Sequence, residues 1–284
     1  MIPAEFSYHR ANSVDEVISL LSEHGDDAKL LSGGHSLIPA MKMRLNQPGM
    51  LIDIGRLSEL QGIKHEKDML VIGANTTHGA IAHSKTVQQQ LPILAEAAEL
   101  IGDVQVRNRG TIGGSLAHAD PSADWPAVMI ATNASIVLKG PDGERTIAAE
   151  DFFTGFYMTE LAENEIITHI EVPVAGKNTK TSYQKFMQPA SRFAIVGCAV
   201  VLTSSGGQCE DVRVAFTGVS DGAFRDKGVE AALKGKALNA ENIEAAAAKA
   251  AAGMSILSDH FASEEYRQHL ARVYAKRALT ATAG

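Results

Sequence analysis

Two glycine pairs, 80 positions apart, constrain this chain more than any other feature of its sequence. The first lies in segment 30–37 and the second in segment 109–116, and small, hydroxyl-bearing residues surround both pairs beside apolar runs. Because glycine lets the backbone turn tightly, successive N–H groups in such a segment can converge on an anion. One Gly-Gly pair alone is also typical of an ordinary turn. Two pairs with the same local chemistry favour a shared anionic ligand, and a diphosphate is the simplest candidate.

Three common motifs are absent from the sequence. No G-x-G-x-x-G pattern follows a strand-like segment, and neither the P-loop pattern nor Gly-x-Ser-x-Gly occurs. A dinucleotide would therefore bind outside the Rossmann and P-loop arrangements. Backbone N–H groups from two opposed loops could satisfy the oxygens of a pyrophosphate without a lysine. Hydroxyl groups could donate further hydrogen bonds from Ser32, Ser36, Thr111 and Ser115.

Composition narrows the class of protein. The 284 residues are 45% hydrophobic and 21% charged, which is typical of a globular chain with room for two domains. The formal net charge of −7 argues against a nucleic-acid partner, because a phosphate polymer requires a dense basic surface. The two cysteines cannot supply the four thiolates of an iron–sulfur cluster, nor a structural zinc site.

The N-terminus and the apolar runs bear on the location of the protein. The first residues, MIPAE, lack the basic and apolar regions of a signal peptide, and no apolar run approaches the roughly 18 residues of a membrane span. Cys198 lies inside a long apolar run, where it is interpreted as a small buried hydrophobic residue. We therefore expect a protein of the reducing cytoplasm, without a membrane span.

Capping signals and apolar spacing predict the local structure around both glycine pairs. Ser13 begins a capping box, which predicts a helix that ends at Gly25. A strand over 29–31 leads to the first glycine pair, and a helix over 37–45 follows it. A helix that begins with the proline after Leu91 leads to the second pair. Further strands are predicted over 50–54, 69–73, 134–138 and 166–172.

The polar, proline-flanked stretch 173–181 is the most linker-like part of the chain, and we place the domain boundary there. Three strands are predicted beyond it, over 182–187, 194–202 and 212–217. An alanine-rich helix over 240–252 and a last helix after Ser263 follow them. A three-stranded sheet packed by helices is the simplest arrangement, and the fold class is predicted to be α+β.

Two further groups of residues have several interpretations. His118, Asp120 and Asp124 could form a hard-metal site, but no further ligand follows at a suitable spacing, so no metal site is predicted. Asp120 more simply forms a turn, and Asp124 either caps the helix beginning at Trp125 or accepts hydrogen bonds from sugar hydroxyls. His35 could be a general base, a covalent flavin attachment point, or a ring that braces its loop; bracing is the preferred interpretation.

Several longer runs carry a resemblance to a known family. Residues 32–45 and 107–124 closely resemble the FAD-binding medium subunit of the molybdenum hydroxylases, a group that includes aerobic carbon monoxide dehydrogenase and xanthine dehydrogenase. Residues 182–186 and 263–279 resemble the C-terminal flavoprotein domain of that family. The resemblance covers the whole chain. Its length and domain order are similar to those of the separate carbon monoxide dehydrogenase subunit rather than of the fused xanthine dehydrogenase chain.

This resemblance implies a fold and a cofactor. The fold would be a vanillyl-alcohol-oxidase (PCMH-type) FAD-binding domain over 1–176, with subdomains of about 1–55 and 56–176, followed by a small sheet-and-helix domain over 177–284. The two loops would hold the diphosphate of non-covalent FAD. The residues implied to contact FAD are Ser32, Gly33, Gly34, His35, Ser36, Ile101, Thr111, Ile112, Gly113, Gly114, Ser115, Asp124, Leu161, Lys185 and Phe193.

Individual roles also come from the resemblance. Asp124 would lie near the ribityl hydroxyls, Lys185 would approach the flavin, and Phe193 would stack on the isoalloxazine ring. Ile101 and Leu161 would form walls. The chain departs from the family pattern at two positions, because serine stands at 32 in place of a common alanine and at 115 in place of a common asparagine.

The implied function is electron transfer within a larger complex. FAD would collect electrons from an iron–sulfur small subunit and pass them to an external acceptor, while a large subunit would hold molybdopterin, in a dimer of heterotrimers. No residue of this chain would then be catalytic, and substrate specificity would lie in another chain. Two alternatives remain: a self-sufficient flavin oxidase or reductase, which needs a substrate cavity over the flavin, and a non-enzymatic nucleotide-binding module.

Overall fold

Residues 1–284 form four β-sheets connected by α-helices in the computed structural model. No helix combines the length and the apolar character that a bilayer crossing requires. Both helices and sheets occur in each half of the chain, so the predicted α+β class is confirmed.

The N-terminal part is a parallel three-stranded sheet packed by a helix. Its elements are β1 (Ser7–Arg10), α1 (Val14–His24), β2 (Ala28–Leu31), α2 (Leu37–Lys42) and β3 (Met50–Asp53). The strand order is β1-β3-β2. The predicted capping box is present, because the Ser13 side chain accepts a hydrogen bond from the Glu16 N–H, and α1 ends at Gly25 with φ of +52°. The first glycine segment connects β2 to α2.

Helix α2 ends three residues earlier than the predicted 37–45. Arg44 adopts a left-handed conformation with φ of 59°. The Leu45 N–H then reaches back to the Ala40 carbonyl, at 2.9 Å. This 6→1 hydrogen bond is the Schellman arrangement that closes a helix, and it forms here without glycine.

The second part of the chain contains an antiparallel five-stranded sheet in the order β4-β5-β10-β6-β7. The strands and helices predicted in this region are present within a few residues. The elements are β4 (Ile63–Glu66), β5 (Met69–Gly73), α3 (His78–Ala82), α4 (Lys85–Gln90), α5 (Pro92–Leu100), α6 (Val104–Arg107), α7 (Ile112–His118), α8 (Asp124–Ala131), β6 (Ser135–Gly140), β7 (Gly143–Ala148), α9 (Ala149–Phe152), β8 (Phe153–Gly155), β9 (Met158–Thr159) and β10 (Ile166–Pro173).

The C-terminal part is an antiparallel sheet in the order β11-β12-β13-β14, packed by helices. Its elements are β11 (Thr179–Met187), β12 (Ala194–Ser205), β13 (Gln208–Thr217), β14 (Phe224–Arg225), α10 (Lys227–Leu233), α11 (Ala240–Ala247) and α12 (Glu264–Ala283). The prediction of three strands is wrong by one. Strand β14 has two residues, which is too short to show an alternating pattern.

Helix α11 ends at Ala247, although the alanine-rich pattern predicts a helix to 252. The reason is a tertiary hydrogen bond. The Ala251 N–H donates to Asp226 Oδ2 at 2.7 Å, and Ala251 takes a left-handed conformation with φ of 54°. Asp226 also caps α10, so one carboxylate ties the two helices together and overrides the helix propensity of alanine.

Both cysteines lie in the core of the C-terminal part, as predicted for Cys198. Neither forms a disulfide. Burial raises the pKa of the Cys198 thiol well above its ordinary value. Burial also raises the pKa of Cys209, to about 11. The two thiols are therefore protonated and structural at neutral pH.

Candidate functional site

The first glycine loop leaves four consecutive backbone N–H groups without an acceptor in the protein: those of Gly33, Gly34, His35 and Ser36. Gly34 adopts φ of +74°, and a Cβ there would press on the side chain of Ile38 at 2.7 Å. A Cβ on Gly33 would overlap the carbonyl oxygen of Arg109. Only glycine fits at both positions, and the loop exposes a row of unpaired donors.

His35 lies on the outside of this loop. Its ring is exposed, and Nδ1 lies 3.1 Å from the Gly33 carbonyl oxygen. Because a carbonyl oxygen only accepts, Nδ1 carries the proton in this contact. The ring therefore braces the loop, which agrees with the preferred interpretation of His35.

The second glycine loop uses its N–H groups differently. Ile112 donates to the Thr76 carbonyl at 3.1 Å, and Gly113 donates to the Ala74 carbonyl at 2.9 Å. A Cβ on Gly113 would lie 2.6 Å from the Cβ of Ala74, so glycine here permits close packing. The sequence predicts free N–H groups in both loops, and this prediction is wrong for Ile112 and Gly113. Their hydrogen bonds are satisfied inside the protein.

The two loops touch each other through hydroxyl groups. Ser32 Oγ lies 2.9 Å from Thr111 Oγ1, and Thr111 Oγ1 also accepts a hydrogen bond from the Gly114 N–H. Of the four predicted hydroxyl donors, Ser32 and Thr111 are thus engaged with each other. The Ser36 hydroxyl makes no capping hydrogen bond.

A polar cavity of about 400 Å³ lies beside the loops. Only two of its fourteen lining residues are hydrophobic, which suits a polar part of a ligand. Three of the lining residues are predicted site residues, namely Ser32, Gly33 and Thr111. The others are Gly55, Gln61, Gly62, Ile63, Asn75, Thr76, Thr77, Ala80, Ser84, Asn108 and Arg109.

Asp124 and Lys185 form a buried ion pair between the two halves of the chain. Lys185 Nζ lies 2.8 Å from the Asp124 carboxylate and donates to the Leu100 carbonyl at 3.1 Å. The Tyr183 hydroxyl donates to Asp124 Oδ1 at 2.5 Å. A Cβ on Gly197 would collide with that hydroxyl, so glycine gives it room. The structure thus brings two predicted site residues together, as partners of each other.

Burial dominates the electrostatics of this pair. It raises the pKa of Asp124 and lowers the pKa of Lys185, while their mutual attraction acts in the opposite direction on both. The interpretation of Asp124 as a helix cap is wrong. Ala123 occupies the N-cap position of α8, and Asp124 is the first residue of the helix with its carboxylate directed to β11.

Asp120 forms the predicted turn, since its Oδ1 accepts the Ser122 N–H at 2.8 Å. The other carboxylate oxygen accepts the Tyr157 hydroxyl at 2.9 Å. The His118 ring packs edge-on against Tyr157, with centroids 5.1 Å apart. His118 and Asp120 therefore hold the exposed β8–β9 hairpin.

Ile101, Leu161 and Phe193 are predicted site residues that lie outside the two glycine segments. Ile101 and Leu161 are half-buried and pack against the main hydrophobic core. Phe193 is exposed at the end of a tight loop that follows β11. The Ala194 N–H after it donates to the Ser122 carbonyl, which ties this loop to the segment behind the second glycine pair.

Arg192, next to Phe193, was not singled out from the sequence. Its Nε is buried without a hydrogen-bond partner, and its backbone has a φ of 61°. Its positive charge lies close enough to Lys185 to lower the pKa of that ammonium group. A buried guanidinium N–H without an acceptor is costly, which makes Arg192 a candidate for contact with a ligand that accepts hydrogen bonds.

His78 was also missed. The Trp125 Nε1–H donates to His78 Nδ1 at 3.0 Å, and the His78 N–H donates to the Gly110 carbonyl. Because the indole only donates, the proton of the neutral imidazole is on Nε2, which faces Gly110. Burial lowers the pKa of His78 to about 3. No local pattern reveals this residue, since its partners are distant in sequence.

The lowered pKa of His78 predicts that the protein loses stability in acid. Below pH 6.5, His78 is protonated in the unfolded protein but stays neutral in the folded protein. The free energy of unfolding therefore decreases as the pH falls from 6.5 toward about 3. Between pH 7.5 and 5.0 the loss should be about 2 kcal/mol. Urea unfolding at both pH values measures it. His78→Asn keeps an acceptor for Trp125 and should reduce the pH dependence by that amount; an unchanged pH dependence contradicts the assignment.

Two family descriptions together match nearly the whole chain. Residues 4–175 match the FAD binding domain in molybdopterin dehydrogenase. Residues 181–282 match the CO dehydrogenase flavoprotein C-terminal domain. FAD is therefore the cofactor of this fold.

Relatives are similar over their full lengths. The carbon monoxide dehydrogenase medium chain of Hydrogenophaga pseudoflava is 47% identical over 281 residues, which are 99% of this chain and 98% of that one. The glyceraldehyde dehydrogenase medium chain of Sulfolobus acidocaldarius is 39% identical, over 98% of this chain and 99% of that one.

A solved structure is equally similar. It is the carbon monoxide dehydrogenase from Hydrogenophaga pseudoflava that lacks the Mo-pyranopterin moiety of the molybdenum cofactor, with a TM-score of 0.97 and 48% identity, covering 99% of this chain and 98% of that one. The resemblance seen in the glycine segments is thereby confirmed. The chain belongs to the FAD-binding medium subunits of the molybdenum hydroxylase family and is an oxidoreductase subunit.

Proposed function

We propose that this chain holds FAD non-covalently and transfers electrons from the iron–sulfur clusters of a partner subunit to an external acceptor. The observation that carries the proposal is the first glycine loop, where four successive N–H groups have no acceptor in the protein. A diphosphate supplies the acceptors that this row requires. When bound, FAD supplies one- and two-electron transfer, which suits an exchange between clusters and an acceptor.

The residues present fit this cofactor. A Cβ on Gly33 would meet the Arg109 carbonyl and one on Gly34 the Ile38 side chain, so glycine at both positions preserves the loop conformation that presents the N–H groups. The Arg192 guanidinium has a buried Nε without a partner and no carboxylate in ion-pair range, which favours a ligand with negative charge or carbonyl oxygens nearby. Lys185 lies close to Arg192 and adds a second cation, although Asp124 balances it.

Several of the predicted site residues then have a binding task. The loop residues Gly33 to Ser36 would bind the diphosphate through the backbone, and Ser115 would add a hydroxyl. Asp124 and Lys185 would lie near the ribityl and flavin portion as a fixed ion pair whose side chains are buried. Phe193 would cover one face of the ring, while Ile101 and Leu161 would exclude water from the other side.

The partner subunits are proposed from the cysteine content of this chain and from its relatives. Cys198 and Cys209 are both buried in the C-terminal core, so the thiolates of an iron–sulfur cluster must come from another chain. The relatives are medium chains by name, and one solved relative is a carbon monoxide dehydrogenase whose molybdenum cofactor lacks its Mo-pyranopterin moiety. We therefore place this subunit with an iron–sulfur small subunit and a molybdopterin large subunit, in a dimer of heterotrimers.

Flavin bleaching tests electron transfer. The native complex is purified, its iron, molybdenum and flavin are measured, and flavin absorbance is followed after addition of carbon monoxide or an aldehyde, the substrate classes in the relatives' names. The complex should bleach with its substrate, and the isolated chain should not. Bleaching of the isolated chain by a substrate would instead support a self-sufficient flavin oxidase or reductase.

The attachment of FAD gives a separate prediction. His35 Nδ1 is engaged with Gly33, and the resemblance implies non-covalent FAD. Precipitation of the purified protein with acid should release all the flavin into the supernatant, where its absorbance is measured. Flavin that remains with the precipitate would show a covalent bond, and His35 would be its first candidate.

A further inference from the structure

We propose that Asn75 is a positioning residue that aligns the two glycine loops through a directed chain of hydrogen bonds, and thereby sets the affinity for FAD. This inference rests on the proposed binding of the FAD diphosphate by the first loop. Asn75 follows β5, is buried, and lines the polar cavity beside the loops. Nothing in its local sequence distinguishes it from an ordinary loop residue.

The orientation of the Asn75 amide follows from its neighbours. Its Nδ2 donates to the Ile54 carbonyl at 2.6 Å, and its backbone N–H donates to the Leu60 carbonyl at 2.7 Å. Because the Ile54 oxygen can only accept, the nitrogen of the amide faces Ile54. The amide oxygen therefore faces Ser32, whose Oγ lies 2.6 Å away.

Because each hydroxyl group has only one proton to donate, the direction of every other hydrogen bond in the series follows. Ser32 has a single hydroxyl proton, which it donates to Asn75 Oδ1. Its contact with Thr111 at 2.9 Å must therefore be a donation from Thr111 to Ser32. Thr111 Oγ1 accepts the Gly114 N–H at 3.2 Å. The donations run in one direction, from Gly114 through Thr111, Ser32 and Asn75 to Ile54, an arrangement in which hydrogen bonds strengthen one another.

This chain has a consequence for the ligand. The hydroxyl protons of Ser32 and Thr111 are both used inside the protein, so neither hydroxyl can donate to a phosphate. The N–H groups of Gly33 to Ser36, which have no acceptor in the protein, follow Ser32 directly. Holding Ser32 in place therefore holds the start of the row of donors. If one of these hydrogen bonds is lost, the loop becomes more mobile. Binding of FAD then has to order the loop, and the lost conformational entropy lowers the affinity.

The test is FAD titration of the deflavinated full-length chain, followed by flavin fluorescence. Ser32→Ala and Asn75→Ala should each weaken binding about tenfold. The double variant should bind FAD no more weakly than either single variant, because both substitutions break the same series of hydrogen bonds. The Ser36 hydroxyl lies in the same loop but outside this series of hydrogen bonds. The effects of Ser36→Ala and Asn75→Ala on the free energy of FAD binding should therefore be additive. The ³¹P resonances of bound FAD should shift in Ser32→Ala.

A second pair of variants guards against misfolding. Thr111→Val removes the hydroxyl, and Thr111→Ser restores it, so the serine variant should recover affinity. If the wild type binds FAD and Ser32→Ala shows the same affinity and the same ³¹P resonances as the wild type, the proposal for Asn75 is overturned. Absence of FAD binding by the wild type itself would instead overturn the proposed function.

Discussion

Gly114→Asp should reduce FAD affinity by more than about 100-fold while the chain remains folded. Gly114 is the third residue of α7 and is exposed, and a Cβ there would meet only Thr111 Oγ1, at 2.9 Å. A carboxylate in the first turn of a helix is favourable for the helix itself. However, a carboxylate about 5 Å from the FAD diphosphate would be repelled by about 3 kcal/mol at an effective dielectric constant of about 20.

The matched control for this variant is Gly114→Asn, which has the same shape without the charge. Both variants are purified, their flavin content per chain is measured, and FAD is titrated into the deflavinated proteins. The asparagine variant isolates the effect of the tight contact with Thr111. Equal affinities for the two variants would mean that no phosphate lies near the second loop.

Lys185→Met should lower the free energy of unfolding by about 3–5 kcal/mol, because it leaves a buried carboxylate without its counter-ion. The Lys185 side chain is fully buried, and that of Asp124 is 4% exposed. The methionine fills a similar volume, so the loss reports the charge rather than a cavity. Urea unfolding followed by circular dichroism measures the difference from the wild type.

The double variant Asp124→Asn with Lys185→Met separates charge from packing. The asparagine keeps an acceptor for the Tyr183 hydroxyl, which donates to Asp124 in the wild type. Much of the lost stability should therefore return, since no unpaired charge remains. If the double variant is less stable than Lys185→Met alone, the carboxylate is not the source of the loss.

The sequence predicts best those features whose cause is local. The capping box of α1 and the glycine loop between β2 and α2 are found because the determining residues are neighbours. The prediction for α11 is wrong because its end is set by Asp226, which is 25 positions from Ala251. Strand β14 exists only through its pairing with β13. Such tertiary contacts leave no mark on a short window of sequence.

The same distinction holds for the site. Both glycine pairs are visible as patterns, yet the pattern does not show that the Ile112 and Gly113 N–H groups are already paired. His78 and Asn75 are missed because each acts on residues that lie far along the chain. Arg192 is missed because its significance is a buried nitrogen without a partner, which only the folded chain reveals.

The inert cysteines have a practical consequence. Cys198 and Cys209 are buried, and the raised pKa of each thiol keeps it protonated at neutral pH, so a maleimide reagent should leave both untouched in the folded protein. A cysteine introduced at an exposed position such as Met43 would then be the single reactive thiol. A fluorophore attached there would label the protein at a single position, without prior removal of the native thiols.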